Sequence, residues 1–318
     1  MNAVRAQVSM EFLITVFLIM LLFIIMGFFI YQKYVTSTYI KLNIAGQQLT
    51  NSIADSINEI SAVGDGYYQY ITLPASIYGE SYTVRFYKNE PTIFVYTDVM
   101  SWSAPLVTSN IGCGRRGICL TKYNDTNKEI YMHITNRTEV KLVNRCGAVL
   151  FGDYYLWREG EDWDGYGGKD FYPTKLEGMD PKYNASENAI MFSNEANVSD
   201  YILWNVTLPN YACYTFWIRP FQETFEGRVG YSTTWIENIQ MGSEIVGYNE
   251  SKRCIWFNQD RIILSDMKHT IKMNFSRPYW IGGKANVDID VLMLTTDPLY
   301  DPSSQNLPTG KPPDAWEI

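Results

Sequence analysis

Glu11 stands at the head of an apolar run. From Phe12 to Tyr31 the chain reads FLITVFLIMLLFIIMGFFIY, twenty residues without a charge. An ionised carboxylate beside hydrocarbon is costly unless a partner neutralises it. A glutamate in this place therefore implies a paired role. Elsewhere, residues that do chemistry are sparse. Glu161 with Asp162, and Asp162 with Asp164, form carboxylate pairs. Glycoside hydrolysis needs two such groups held across a cleft, but acidic neighbours are common in loops. With His133 and His269 as the only histidines, a catalytic triad or zinc site has little to draw on. The sequence holds no G-x-S-x-G, P-loop, H-E-x-x-H or C-x-x-C pattern. The expectation is a protein that is not an enzyme.

The five cysteines are Cys113, Cys119, Cys146, Cys213 and Cys254. Cys113 and Cys119 bracket GRRGI, a turn-like segment that a disulfide can clip. Cys213 and Cys254 lie in two aromatic strand-like runs, YACYTFW and KRCIWFN, and are candidates for a bridge between neighbouring strands. The odd number leaves one thiol over, and Cys146 is assigned that place. The alternative is a set of buried free thiols throughout. Glycosylation sequons occur at Asn124, Asn136, Asn184, Asn197, Asn205, Asn249 and Asn274. All lie beyond residue 120, where an exposed head would be. Asn205 and Asn274 sit within strand patterns.

The elements that position these residues follow from periodicity. After the apolar run, Leu49, Ile53, Ile57 and Ile60 recur at helical spacing. A single helix is predicted from about Val8 to about Ala62, half membrane-apolar and half amphipathic, with Gly46 and Gly27 as weak points and Gly64-Asp65-Gly66 as the stop. Residues 67 to about 147 alternate apolar and polar with turn punctuation and read as short strands. In them Glu139 and Lys141 read as a solvated strand face. Residues 148 to about 302 form a second strand-rich module. The tail QNLPTGKPPDAWEI is Pro-rich and reads as extended.

Composition narrows the class further. The 318 residues suffice for two or three modules with real cores. Net charge is −8 and the isoelectric point about 4.9, with no basic tract. Nucleic acid is excluded as a partner, because phosphate neutralisation by Lys and Arg is missing. Aromatic residues make up 15% of the chain, which fits β-rich domains with large buried rings.

Arg5-Ala6-Gln7-Val8-Ser9-Met10-Glu11 resembles the class III signal peptide of archaeal type IV pilin-like proteins. In that family a prepilin peptidase cuts ahead of the apolar run. The resemblance implies cleavage between Ala6 and Gln7, a new amino terminus at Gln7, and Glu11 as the fifth mature residue. In pilus-like filaments the apolar helices bundle away from water. Glu11 would then meet the Gln7 amino group of a neighbouring subunit, offsetting its desolvation. The stretch ITLPASIYGESYTVRFYKNEPTIFVYT is similar to the β head of the same family.

Glu159-Gly160-Glu161-Asp162, the strand Trp204 to Pro209, the aromatic run ending at Arg219 and the closing strand Asp290 to Pro298 resemble the ordered motifs of carbohydrate-binding-module-like jelly rolls of the galactose-binding type. That resemblance implies a structural calcium held by Glu159, Glu161 and Asp290, oxygen ligands of the kind calcium takes. The alternative is three exposed edge carboxylates. Such modules bind sugar on exposed aromatic faces. Trp163, Tyr166, Trp235, Tyr279 and Trp280 lie in loop-like contexts and are the ligand-binding candidates. Trp204, Trp217 and Trp256 lie in strand patterns and read as core.

The expected fold class is α+β: a long N-terminal transmembrane and stem α-helix, a β-meander pilin head and a C-terminal β-sandwich jelly roll. The expected divisions are a leader at 1–6, the transmembrane and stem helix at 7–63, the head at 64–147, the jelly roll at 148–302 and a flexible tail at 303–318. The expected function is a structural subunit, minor or tip, of an archaeal type IV pilus-like surface filament, displaying the jelly roll for adhesion. Its partners would be other pilin subunits, the prepilin peptidase, the membrane and a carbohydrate or cell-surface ligand. The chain would sit in a membrane-anchored pool before assembly and on a surface filament afterwards. The alternatives are a non-polymerising, membrane-anchored extracellular binding protein or a pseudopilin of a secretion or uptake machine.

Overall fold

The structure, a computed structural model, describes residues 2–114, 118–123, 128–168, 173–177, 185–186, 189–196, 200–222, 230–246, 253–276, 285–304 and 316–317. In the N-terminal helix, side chains are described from Phe12 onward.

One helix, α1 (Asn2–Val63), runs unbroken from the amino terminus into the head. At 1.5 Å per residue it is about 93 Å long. Its two halves differ as the periodicity predicts. Phe12 to Tyr31 project their large apolar side chains into the open, with Phe23 70% exposed. From Leu42 onward one face is covered, and Ile53, Ile57 and Ile60 are buried in the head core. Gly46, a weak point by propensity, has a packing reason. The indole of Trp102 lies where a Cβ would project, and its Nε1 donates to Asn43 Oδ1 at 2.8 Å. The helix stops at Gly64, whose φ of +105° suits the left-handed closing residue of a helix.

Nine strands follow: β1 (Tyr68–Leu73), β2 (Tyr82–Tyr87), β3 (Thr92–Tyr96), β4 (Ser101–Pro105), β5 (Ile111–Cys113), β6 (Leu120–Tyr123), β7 (Lys128–Ile134), β8 (Thr138–Arg145) and β9 (Ala148–Phe151). They form a five-stranded sheet in the order β4-β3-β2-β7-β6 and a four-stranded sheet in the order β1-β8-β9-β5. In β2 the alternation is strict: Tyr82, Val84 and Phe86 are buried and the residues between them are half-exposed. The buried rows of both sheets close on the covered face of α1 in one core.

Strand β9 pairs with β8 through a tight turn at Cys146-Gly147, both with positive φ. The module boundary expected at 147/148 therefore falls inside a hairpin. Lys141, expected on a solvated face, instead pairs with Asp153 at 2.6 Å.

The remaining strands are β10 (Tyr155–Glu159), β11 (Gly165–Gly167), β12 (Thr174–Glu177), β13 (Ala189–Ala196), β14 (Tyr201–Thr207), β15 (Ala212–Gln222), β16 (Gly230–Ile236), β17 (Ile239–Val246), β18 (Arg253–Cys254), β19 (Phe257–Leu264), β20 (Lys268–Ser276), β21 (Ala285–Thr295) and β22 (Trp316–Glu317). One sheet has the order β11-β14-β20-β16-β17. In the other, β21 pairs with β13 and β10, and with β15, which also pairs with β19. Their inner faces enclose a second core around Trp204, Tyr214, Phe216, Ile271 and Leu292. The tail region expected to be flexible contains a 3-10 turn at Pro302–Ser304, and β22 adds a parallel edge to β10. The architecture is the α+β class: a long apolar helix, then β sheets ending in a jelly-roll sandwich.

The two strand-rich parts are joined by more than chain continuity. Val143, Ala148 and Leu150 of the head sheet belong to the second core. Asn210 accepts from the Cys113 N–H at 3.0 Å and donates to the Cys113 carbonyl at 2.8 Å. Lys128, buried, donates to the Pro209 carbonyl and faces Asp266 at 3.4 Å. Arg145, also buried, donates to the Thr296 carbonyl and pairs with Asp153 at 3.0 Å.

The Cys113–Cys119 disulfide forms as the turn-like spacing predicts. The second bridge corrects the sequence reading: Cys146 bonds to Cys213, and Cys254 is the free thiol. The reason is register along β15. Cys254 pairs with Phe221, while Cys213 lies eight residues away near the other end of the same strand. Eight residues of strand span roughly 27 Å, and a disulfide needs Cα atoms within about 7 Å. Cys146, in its hairpin turn, reaches Cys213 instead.

A buried carboxylate cluster in the jelly roll

Glu159 ends β10 opposite Val291 of β21, and Asp290 is the neighbouring residue on β21. The turn between β10 and β11 begins at Gly160, whose N–H donates to the Asp290 carbonyl at 2.7 Å. A Cβ at Gly160 would overlap the Ile289 carbonyl, so only glycine lets the chain cross β21 this closely. The turn carries Glu161 inward.

All three carboxylates are buried, Asp290 completely. The alternative of exposed edge groups is thereby excluded. Glu159 Oε1 accepts from Trp157 Nε1 at 2.6 Å and from Ser186 Oγ at 3.0 Å. Asp290 Oδ1 accepts from the Ser186 N–H at 2.6 Å. Its Oδ2 faces Arg219 Nη1 at 3.1 Å, and neither side chain is more than 1% exposed. Glu161 is approached by Lys175 Nζ at 3.9 Å. Neither Glu161 carboxylate oxygen accepts a hydrogen bond from another described residue.

The electrostatics follow. Burial pushes the Glu161 carboxyl up to about 7, and the charge of Glu159 adds to the effect. Burial likewise raises Asp290 to about 7 against the opposing pull of Arg219 and the Ser186 N–H. Burial first, and then Asp290, raises the Cys254 thiol. Three carboxylates against one buried guanidinium leave a site that favours protons or a cation. Its donors are hard oxygens, and Glu161 offers both of its own. These residues fit a calcium ion.

A different trio, Asp65, Cys146 and Cys213, brings its candidate ligand atoms within 4.8 Å of one another. Two of its members are the sulfurs of a disulfide, which are not thiolate ligands, so it is not a metal site.

The aromatic candidates divide. Trp163 and Tyr166 follow the same turn and meet edge to face at 5.3 Å between centroids. Trp163 packs partly into the core and Tyr166 is exposed. Asp164 between them accepts from Arg158 at 3.2 Å and from the Asn205 N–H at 2.6 Å. That ties the carboxylate to holding the turn. Tyr166 pairs with Ile202, whereas Trp235 pairs with Lys272 and, through it, lies on the row of Leu203. The two positions therefore take opposite faces of the sheet and form no shared platform. Tyr279 and Trp280 lie outside the described residues.

Trp204 is core, as expected. Trp217 and Trp256 instead join Trp157, Val291 and Met293 in a separate apolar cluster. Among the sequons, Asn136 is exposed in the bend between β7 and β8. Asn205 accepts from Thr270 on the next strand, and Asn274 is half-buried. Asn124, Asn184, Asn197 and Asn249 lie outside the described residues. Ala6, Gln7 and Glu11 lie on α1, where only the backbone is described.

Sequence reasoning missed Ser186, Lys175 and Trp157 as partners of the cluster. Ser186 and Lys175 come from loops and an edge strand with no motif. The available signal was Arg219, a lone cation closing an otherwise apolar strand run.

No family model matches the chain, and no curated protein is similar to it. Solved structures with a likeness to it include carbohydrate-binding-module jelly rolls. One is a family 35 carbohydrate binding module from an environmental isolate, at 16% identity, covering 44% of this chain and 91% of that one with a TM-score of 0.32. Another is the C-terminal CBM6 of a laminarinase from Zobellia galactanivorans, at 12% identity, covering 44% of this chain and 98% of that one with a TM-score of 0.32. A third is a GH26-CBM35 β-(1,4)-mannanase of Podospora anserina, at 13% identity and a TM-score of 0.31; the match covers 44% of this chain and spans 27% of the mannanase. Each of these three likenesses covers less than half of the chain and assigns it no ligand.

Proposed function

We propose that this chain is a subunit of an archaeal type IV pilus-like surface filament, anchored by α1 before assembly and displaying its jelly roll outward to bind a carbohydrate or another cell-surface ligand. The observation that carries the reading is the division of a single helix. Twenty uncharged residues stand bare, about 30 Å long and so matched to a bilayer's hydrocarbon, and the same helix then becomes the spine of the head core. A simple anchor has no need of that second half. The segment Arg5 to Glu11 supports the same reading, with processing between Ala6 and Gln7. Glu11 of one subunit pairs with the Gln7 amino group of the next.

In the jelly roll, Glu159, Glu161 and Asp290 would hold calcium, which supplies a fixed positive charge and no reaction. Arg219 neutralises part of Asp290, Ser186 orients both Glu159 and Asp290, and Gly160 brings Glu161 in. Trp163 follows Glu161 in the same turn and Tyr166 lies on β11 just after it, so fixing Glu161 steadies the turn that leads to the exposed Tyr166.

The test is mass spectrometry of the N-terminal peptide from sheared surface filaments and from membranes. A peptide starting at Gln7 and enriched in filaments is expected. The same peptide confined to membranes would replace the filament with a solitary anchored binder or a pseudopilin. A chain still carrying residues 1–6 would overturn the processing. If Glu11→Gln entered filaments as well as the native chain, Glu11 would lose its assembly role.

A further inference from the structure

Where α1 leaves the head, two turns reach along the stem. One is the hairpin closed by paired hydrogen bonds between Ile77 and Glu80, at 2.9 and 3.0 Å. The other is closed by the Thr97 N–H on the Met100 carbonyl at 2.8 Å. Between them and the stem lies an open cavity of about 220 Å³, lined by Tyr34, Val35, Tyr39 and Leu42 of α1 with Glu80 and Val99 of the turns. The surface around it is apolar and aromatic: Tyr34, Tyr39, Tyr78 and Val99 are all exposed.

Tyr78 is the unusual residue. It occupies the first of two left-handed positions in the hairpin, φ 53°, followed by Gly79 at 87°. Asn or Asp is the favoured residue at the first position of such a turn, because a bulky side chain is strained there. The chain keeps a tyrosine, 61% exposed, with its ring outward and no aromatic partner among the described residues. A strained, exposed aromatic at a turn tip points to something outside the fold.

Position along the helix says what that is. The uncharged run ends at Tyr31, and the first charge after it is Lys33. Tyr34 and Val35 lie about 5 Å further along the axis, within the polar layer that flanks the hydrocarbon of a bilayer. Tyrosine is enriched at that level because its ring is apolar and its hydroxyl is wet. The cavity is too small to seat a helix, which is about 10 Å across.

We infer that the lower rim of the head, Tyr78 and Val99 together with Tyr34 and Tyr39, rests in the headgroup layer of the membrane and holds the head upright on its anchor. The inference depends on α1 being the membrane anchor proposed above.

The test uses the full chain reconstituted into phosphatidylcholine vesicles. Tyr78→p-benzoylphenylalanine is irradiated and its intact mass measured, with Tyr166→p-benzoylphenylalanine in the jelly roll as the reference. Flotation of the vesicles is scored first. The expected result is co-flotation and a lipid adduct at position 78, in roughly tenfold excess over position 166. Co-flotation with equal or no lipid adducts overturns the rim contact and leaves the anchor intact. Co-flotation with covalent dimers instead means that a second copy covers the rim, and also overturns it. Failure to float removes the anchor reading and the rim contact with it.

Discussion

Arg219 and Asp290 face each other at 3.1 Å, both side chains fully buried, one on β15 and one on β21. The pair closes the inner side of the carboxylate cluster. Removing only the cation leaves Asp290 buried without its charge partner, and such losses cost about 3–5 kcal/mol. Arg219→Met is expected to lower stability by about that amount at pH 7.5. The loss should be smaller at pH 5, where Asp290 can take up a proton. Chemical denaturation at the two pH values checks it. An equal loss at both would mean that Arg219 acts through packing alone.

Calcium and protons compete for the same oxygens. Glu161 and Asp290 are raised from 4.5 and 3.8 to about 7 in the folded chain. Between those limits the folded state holds protons that the unfolded state has released. In chelator, their contribution to stability is therefore full below about pH 4, falls as pH rises toward 7 and then levels off. Calcium replaces the proton, so its stabilisation should be small at pH 4.5 and largest above pH 7. Melting curves with calcium and with chelator at both pH values measure this. A calcium shift absent at pH 8 would remove the metal from the site. Glu161→Gln should abolish most of the shift while the chain still folds.

The disulfide pattern is directly measurable. Peptide mapping under non-reducing conditions should join Cys146 to Cys213 and Cys113 to Cys119. Cys254 should be alkylated only after unfolding, since it is buried and its thiol pKa is raised. The Cys146–Cys213 bridge closes 67 residues; losing it through Cys213→Ser is expected to cost roughly 4 kcal/mol. A peptide linking Cys213 to Cys254 would contradict the register of β15.

Gly46→Ala separates helix propensity from packing. Propensity alone would make the change stabilising by about 1 kcal/mol. The Trp102 indole fills the space the methyl would take, and overpacking costs about 1–3 kcal/mol. A net loss of stability is expected, read from thermal unfolding together with Trp fluorescence of the head. A gain would show that Trp102 moves aside freely.

Tyr78→Asn relieves the left-handed strain at the hairpin tip. In detergent, where no bilayer is present, the variant should be at least as stable as the native chain, by up to about 1 kcal/mol. A clear loss of stability would place the ring in an internal packing role.

The amino-acid order by itself determined the elements governed by local periodicity. Twenty uncharged residues followed by the Leu49, Ile53, Ile57, Ile60 spacing specify a helix with a bare half and a covered half, and the structure has it. Strand alternation and the Cys113–Cys119 clip are equally local. The carboxylate trio was legible only through ordered motifs at both ends of the second module, because Asp290 lies 131 positions after Glu159. Tertiary structure decided the rest. Which cysteine meets Cys213 depends on position along β15, and no local pattern encodes it. That Gly46 belongs under Trp102, and that β9 pairs back onto β8 across the expected boundary, follow from contacts between distant segments. The same holds for Ser186 and Lys175: their residue types are ordinary, and only their placement beside the cluster turns them into parts of a site.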